Sequence, residues 1–404
     1  MLLAGLCLQG SLAAASPSAT SAAVSPPRQK LERVVMLSRH GVRAPTLTPA
    51  EERRLTERPW PSWPVGAGEL TPHGERGEKL LGGYFHARYA AYDLLPSGCP
   101  RADVVSVWAD NADQRTRASG QALLEGMFPG CGLRVGYAPL DAPDPLFRPV
   151  EAGLCTLDVA AAERSVLNRV HGNLDGLGPR YERALHAAAG LLENPGLLQA
   201  HNTLSAGSRE LRLTGPLPLV ATAVEVFLLE YEEGLPEPQV GWGGAASVDR
   251  LRVLMPAHEV YSEVMRKDPY LAARNASLLA RRILKSLRSP QRVTVLMGHD
   301  SNISNLAGLL GMRWGLPGQP DSTPPGGTVA FEVWRAAGGA KLVRTVFLYQ
   351  TPEQLRTLQP LDLAHPAGSI ALHIPGCADR NEGVCTLTKL GARLQSAAAP
   401  CPLH

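Results

Sequence analysis

Val34-Val35-Met36-Leu37-Ser38-Arg39-His40-Gly41-Val42-Arg43-Ala44-Pro45 is a short apolar run that stops abruptly in a cluster of cations. The same pattern returns twice. Val104-Val105-Ser106-Val107-Trp108 leads into Asp110-Asn111-Ala112-Asp113-Gln114-Arg115-Thr116, and Val293-Thr294-Val295-Leu296-Met297 leads into Gly298-His299-Asp300. Apolar, β-branched runs without strict alternation fit central strands of a parallel sheet, covered on both faces. Open α/β sheets bind ligands at the carboxyl ends of their strands. All three polar clusters stand at that end, so one sheet is expected to bring them together although they are far apart in the chain.

Helical patterns fill the intervals as this architecture requires. Thr71-Pro72 reads as an N-cap and first turn, followed by the stripe Leu80, Leu81, Tyr84, Phe85 and Tyr89. Ala118, Leu123, Met127 and Phe128 make a second stripe, with Arg115 at its entrance. From Ala160 to about Leu229 the pattern is mostly helical. The expected fold is therefore α/β, a mainly parallel sheet flanked by helices, with a smaller α-helical domain inserted. Residues 28–150 and 246–404 form the α/β part, and residues 151–245 form the insertion. Val329 to Val333 and Leu342 to Tyr349 flank Gly338-Gly339 and predict a hairpin at the sheet edge.

Composition narrows the function classes. The chain has 404 residues, 44% hydrophobic and 19% charged, which excludes a disordered tail or a fibre. Forty Lys+Arg against 37 Asp+Glu leave a net charge of +3 without long like-charge blocks, so nucleic acid is not an expected partner. Residues 1–27 carry no charge and contain Ser11-Leu12-Ala13-Ala14-Ala15-Ser16, the pattern of a signal peptide with a disordered start. No apolar run reaches membrane-spanning length. The longest, Leu217 to Leu229, includes Pro218 and Glu225. Cys99, Cys131, Cys155, Cys377, Cys385 and Cys401 are even in number and contain no CxxC pair, which suits disulfides in an oxidising compartment; six buried free thiols are the alternative.

Arg39 and Arg43 flank His40 closely enough for one tight turn to direct all three at a point. Forked guanidiniums suit phosphate or carboxylate oxygens. Neighbouring cations disfavour imidazolium, so His40 is expected to stay neutral and nucleophilic. Arg115 and His299 add to the anion site. Asp300, beside His299, is placed to act as general acid on a departing alcohol. Each feature alone has a plainer reading: a surface histidine, a helix-start arginine, an Asp N-cap. Their coincidence at three strand ends favours the chemical one. The histidines show no His-x-His or His-Glu-x-x-His spacing, so no metal site is expected, and no Walker or dinucleotide-binding glycine motif occurs.

The motif Arg39 to Pro45, the Arg115-Thr116 cluster and His299-Asp300 together resemble the histidine acid phosphatases, specifically their bacterial periplasmic phytases and glucose-1-phosphatases. The resemblance runs from about Leu31 to Cys401 and includes Trp60-Pro61-Ser62-Trp63-Pro64, Asp144-Pro145-Leu146-Phe147 and Leu316 to Gly327. It implies a phosphoglycerate-mutase-like fold and hydrolysis of phosphomonoesters without cofactor or metal. His40 would form a phosphohistidine, Arg39, Arg43, Arg115 and His299 would hold the phosphoryl oxygens, and Asp300 would protonate the leaving group. It also implies the pairs Cys99–Cys131, Cys155–Cys401 and Cys377–Cys385. Further implications are a periplasmic or secreted monomer, a small phosphorylated substrate, and no membrane association.

Substrate features point two ways. Thr46 matches the phytase pattern, but Leu47 stands where a lysine is expected, and Ser301-Asn302 looks more like the glucose-1-phosphatases. Glu225 aligns with a glutamate of the phytase pocket, or is simply the polar face of a helix. The expectation is a phytase, with a sugar phosphatase as alternative and a catalytically inactive phosphate-ester-binding protein as the alternative of another class.

Overall fold

The computed structural model describes residues 29–207, 210–377, 383–399 and 401. The signal-peptide reading of residues 1–27 lies outside the described residues. In chain order the elements begin with β1 (Lys30–Arg39), α1 (Pro49–Leu55), α2 (Pro72–Ala90), β2 (Val105–Ala109), α3 (Gln114–Met127), β3 (Gly136–Tyr137), α4 (Val159–Arg169) and α5 (Pro179–Leu191). There follow β4 (Thr203–Ala206), β5 (Leu211–Thr214), α6 (Pro216–Glu232), α7 (Val248–Leu254), α8 (Pro256–Tyr261), a π turn at Ser262–Arg266, α9 (Pro269–Asn275) and α10 (Ser277–Arg288). The last elements are β6 (Val293–Gly298), α11 (Asp300–Leu310), β7 (Thr328–Arg335), β8 (Lys341–Tyr349), α12 (Pro352–Thr357), β9 (Gly368–Ala371), β10 (Val384–Thr386) and α13 (Leu387–Ala397).

Eight strands form one mixed sheet in the order β10-β8-β7-β1-β6-β2-β3, with β9 also on β8. The pairs β1–β6, β6–β2 and β2–β3 are parallel, and the other half is antiparallel. β7 and β8 do form a hairpin, but β9 and β10 cover it, so it is not the edge that the sequence suggested. Those two strands are too short and irregular to announce themselves.

The unbroken apolar run of β1 now has a cause. Val35 and Leu37 enter a core with Leu296, Phe331 and residues of α9, α10, α11 and α13, while Val34 and Met36 enter another with Val107, Val295 and residues of α2 and α3. Each of the four is fully buried and stabilises the fold by about 1.5–3 kcal/mol.

A third core, built from α4 to α9 with Leu55, is helical. It includes Tyr181, Val220, Val224 and Phe227, and continues past residue 245 through Leu251, Leu254 and Leu271. The small β4–β5 hairpin interrupts the helical stretch expected from Ala160 to Leu229. Three disulfides join Cys99 to Cys131, Cys155 to Cys401 and Cys377 to Cys385, with Cα atoms 5.4, 5.3 and 5.4 Å apart. Among the described residues no helix is long and apolar enough to cross a membrane.

The loop after β1 is clamped against the start of α2. Thr71 caps that helix, its Oγ1 accepting from the Gly74 amide at 2.8 Å, and its own amide donates to the Val42 carbonyl at 3.2 Å. A Cβ on Gly74 would stand 2.1 Å from that carbonyl oxygen, so only glycine allows the approach.

Candidate active site

The carboxyl ends of β1, β6 and β2 meet through the sheet's own ladder. The His40 amide donates to the Gly298 carbonyl at 3.0 Å, and the Asp110 amide donates to Met297 at 2.9 Å. The His40 and His299 rings lie edge to face with centroids 5.4 Å apart. His40 Nδ1 is 2.8 Å from the Gly41 carbonyl oxygen, which only accepts, so Nδ1 carries the proton and Nε2 the lone pair. Burial, then Arg115, Arg39, His299 and Arg43, hold the imidazole well below its usual basicity. It is a neutral ring with an available nitrogen.

Three arginines surround it. Arg39 is fully buried and donates to Glu225 Oε1 at 2.5 Å, Asp321 Oδ2 at 3.0 Å and the Thr323 carbonyl at 2.6 Å. Burial alone would lower its basicity, but Asp300, Glu225, Asp321 and Glu232 raise it. Arg43 Nη2 lies 3.3 Å from Glu225 Oε1, and Arg115 donates to Asp113 Oδ1 at 3.0 Å and the Gly68 carbonyl at 3.2 Å. The Nε–H groups of Arg39, Arg43 and Arg115 are all buried without a partner among the described residues, a surplus of donors that an anion would satisfy.

Opposite them, His299 Nε2 donates to Asp110 Oδ2 at 2.8 Å and lies 3.4 Å from Asp113 Oδ2. Arg148, which the sequence reading passed over, binds the same two carboxylates. Its Nε donates to Asp110 Oδ2 at 2.9 Å, its Nη2 donates to Asp113, and Nη2 comes within 3.4 Å of His299 Nε2. Burial would raise the Asp110 pKa, yet His299 and Arg148 bring it down to about 2. The three groups Asp110, Asp113 and His299 lie close enough for a cation, but the Arg148 guanidinium already takes both carboxylates, so the set does not fit a metal.

The fourth wall is helical. Glu225, on the inward face of α6, sits between Arg39 and Arg43, so it belongs to the site and not to a solvated helix face. Asp300 opens α11, and its Oδ2 takes an ion pair from Arg266, which the π turn after α8 swings inward; single π turns recur at functional sites. Burial would raise the Asp300 pKa, but Arg266, Arg39 and His258 hold it well below the carboxylate range. Behind Arg39, fully buried Glu232 goes the other way: burial, then Asp321, pushes it up to about 8.

These walls enclose an open cleft of about 590 Å³, lined by Arg43, Thr46, Arg115, Arg148, Glu225, His258, Arg266, His299, Asp300 and Ser301 among others. Arg39, through Glu225, and His40, against His299, adjoin this lining, so the residues singled out in the sequence are brought to one place. Arg148, His258 and Arg266 were missed. Arg148 directly follows Asp144-Pro145-Leu146-Phe147 and could have been read with it, whereas His258 and Arg266 stand in ordinary helical sequence with no signal.

A neutral histidine ringed by guanidiniums at the ends of parallel strands defines a class, the enzymes that carry a phosphoryl group on histidine. Comparison with known proteins makes this specific. The model of the histidine phosphatase superfamily, branch 2, matches residues 30–188. The chain is 36% identical to the phytase AppA of Escherichia coli, covering 90% of this chain and 91% of that protein. It is 33% identical to a glucose-1-phosphatase of Salmonella typhimurium, covering 94% and 96%. The Hafnia alvei phytase superposes with a TM-score of 0.89 at 36% identity, covering 94% of this chain and all of that one, and it has also been solved with myo-inositol hexakis sulphate. The chain belongs to branch 2 of the histidine phosphatase superfamily and is a histidine acid phosphatase.

Proposed function

We propose that this chain is a phytase, hydrolysing myo-inositol hexakisphosphate and related phosphomonoesters through a phosphohistidine. The observation that carries the substrate reading is the number of cations in the cleft. Arg39, Arg43 and Arg115 suffice for one phosphoryl group, and Arg148 and Arg266, although each is also paired with a carboxylate, line the cleft as well. A ligand bearing several phosphates would meet these further guanidiniums.

In this mechanism His40 Nε2 attacks phosphorus in line with the ester oxygen. The guanidiniums and His299 neutralise charge on the equatorial oxygens, a contribution usually among the largest in phosphoryl transfer. Asp300 delivers a proton to the departing oxygen, and water then cleaves the phosphohistidine. Thr46, Glu225 and Ser301 complete the pocket: Glu225 orients the two arginines, while Thr46 and Ser301 offer hydroxyls at the rim. No metal takes part. The site is complete within one chain, which supports a monomer, and its three disulfides support a periplasmic or secreted setting.

The second reading, a sugar phosphatase, has one specific support. Leu47 packs toward the helical core in place of a further cation. Initial rates on phytate, glucose 1-phosphate and p-nitrophenyl phosphate at acidic pH, each with a chelator, separate the two. The phytase reading expects the highest kcat/KM on phytate, unaffected by chelator. A preference for glucose 1-phosphate would favour the second reading, and loss of activity with chelator would reject the metal-free scheme.

A further inference from the structure

Asp300 has been given a proton to deliver, yet its surroundings keep it a carboxylate. Arg266 occupies its Oδ2, and the buried cation Arg39 stands nearby. A second group approaches the same oxygen. His258, on α8, is only 3% exposed and lines the cleft, and its Nε2 lies 3.6 Å from Asp300 Oδ2. That nitrogen has no hydrogen-bond partner among the described residues, which is costly for a buried polar atom unless it has a use.

We infer that His258 stores the proton that Asp300 passes to the leaving group, so that the two act as a relay. The inference rests on the phosphohistidine mechanism proposed above and adds the proton's source. In the first half-reaction the His40 Nε2–P bond forms and the ester P–O bond breaks. The proton on His258 Nε2 moves to the Asp300 carboxylate, which passes a single proton on to the departing alkoxide, leaving an alcohol, neutral His258 and a carboxylate again. In the second half-reaction water attacks phosphorus, the His40–P bond breaks, and the proton released by water returns through Asp300 to His258. The proton that left with the alcohol is thus replaced by one from the attacking water, and the cycle closes. His258 acts through Asp300 and is a positioning residue for the proton.

The groups facing His258 favour its protonated form. Asp300 from α11, Glu225 from α6 and Asp321 from the loop before β7 are opposed by Arg266 from the π turn. α5 and α7 meet α8 mainly through the apolar helical core, and α5 adds the Arg180–Glu259 pair beside it. Burial lowers the affinity of His258 for a proton, but the carboxylates, Asp300 first, bring it above the ordinary value. An arriving phosphate adds negative charge to the same cleft and acts in the same direction.

The test compares glycerol 2-phosphate, a poor leaving group, with p-nitrophenyl phosphate, whose phenolate needs little protonation. In His258→Gln the ratio of the two kcat values should fall about 10- to 100-fold, in the range of a lost proton-transfer step. The alkaline limb of the glycerol 2-phosphate profile should move to lower pH. Because both rates come from one preparation, partial unfolding leaves the ratio unchanged. In an Asp300→Asn background, His258→Gln should lower that ratio by no more than about 2-fold, since the groups act in series. Imidazole added to His258→Ala should restore the alkyl rate selectively. An unchanged ratio, an unmoved alkaline limb or an additive double variant would overturn the relay. Failure of wild type quenched in alkaline denaturant to carry phosphate on histidine would instead reject the mechanism beneath it.

Discussion

The strand ends and the helical wall of this site are built by different means. His40, Asp110 and His299 follow directly from β1, β2 and β6, so ladder hydrogen bonds hold their backbones within a sheet buried on both faces. Glu225, His258 and Arg266 come from α6, α8 and the π turn, and are positioned by packing in a separate core. In the proposed mechanism the strand ends present the nucleophile and much of the anion clamp. The helices hold those groups in their charge states: Glu225 balances Arg39 and Arg43, and Arg266 balances Asp300. One region supplies the chemistry and the other sets its electrostatics.

The sharpest way to break this division is at the strand end. His40→Ala should lower turnover of every phosphomonoester, aryl esters included, by about 10⁴-fold or more, and should abolish the alkali-stable, acid-labile protein-bound phosphate. A variant retaining a tenth of wild-type activity would refute the assignment. Asp300→Asn should follow, with losses of about 10²- to 10³-fold on alkyl phosphates and roughly 10-fold on p-nitrophenyl phosphate; equal losses would remove the general acid from Asp300.

A smaller effect belongs to Arg148, which binds carboxylates at the strand ends but faces the open cleft. Arg148→Ala should cost about 10-fold in kcat/KM on phytate, consistent with one partly solvated charge-assisted contact, and under about 3-fold on p-nitrophenyl phosphate. Equal sensitivity of the two substrates would move Arg148 from substrate recognition to support of Asp110 and His299.

The smallest effect is a slope. Glu230 and Glu232 on α6 are pushed up to about 8, and neighbouring Glu233 to about 7, in each case by burial first. Native protein therefore holds protons that unfolded protein releases near pH 4.5. Their contribution to stability is complete below that value and is lost as pH rises towards 8. Buried His40 and His299 act oppositely, because their native forms resist the proton that unfolded histidine takes up below about pH 6.5. The Tm should thus rise as pH falls from about 8.5 to 6.5 and level off below. Glu232→Gln should flatten the upper part of that slope, and an unchanged slope would mean that Glu232 is ionised in the native state.

The division also explains what could be read from sequence. Arg39-His40 and His299-Asp300 are contiguous, and the apolar run before each is itself the strand that positions it, so fold and site were visible in the same residues. Arg115 was visible because it opens α3 just after β2. His258 and Arg266 offered no such link. Their inward aim depends on a π turn and on the packing of α8 against α6, and neither leaves a mark in periodicity. β9 and β10 escaped for a related reason, since strands of three or four residues are specified by the neighbour they pair with. The position of β7 and β8 inside the sheet followed from them.

β1 lies at the centre of the sheet, between β6 and β7. A chain made from its amino end presents this strand first, yet both its hydrogen-bonding partners arrive only after residue 292. Until then this strand, with the proposed nucleophile at its tip, has nowhere to dock. Contacts so distant in sequence close slowly. Turnover therefore begins only when nearly the whole polypeptide is present, which makes the enzyme inert during synthesis and during any passage it makes as an extended thread.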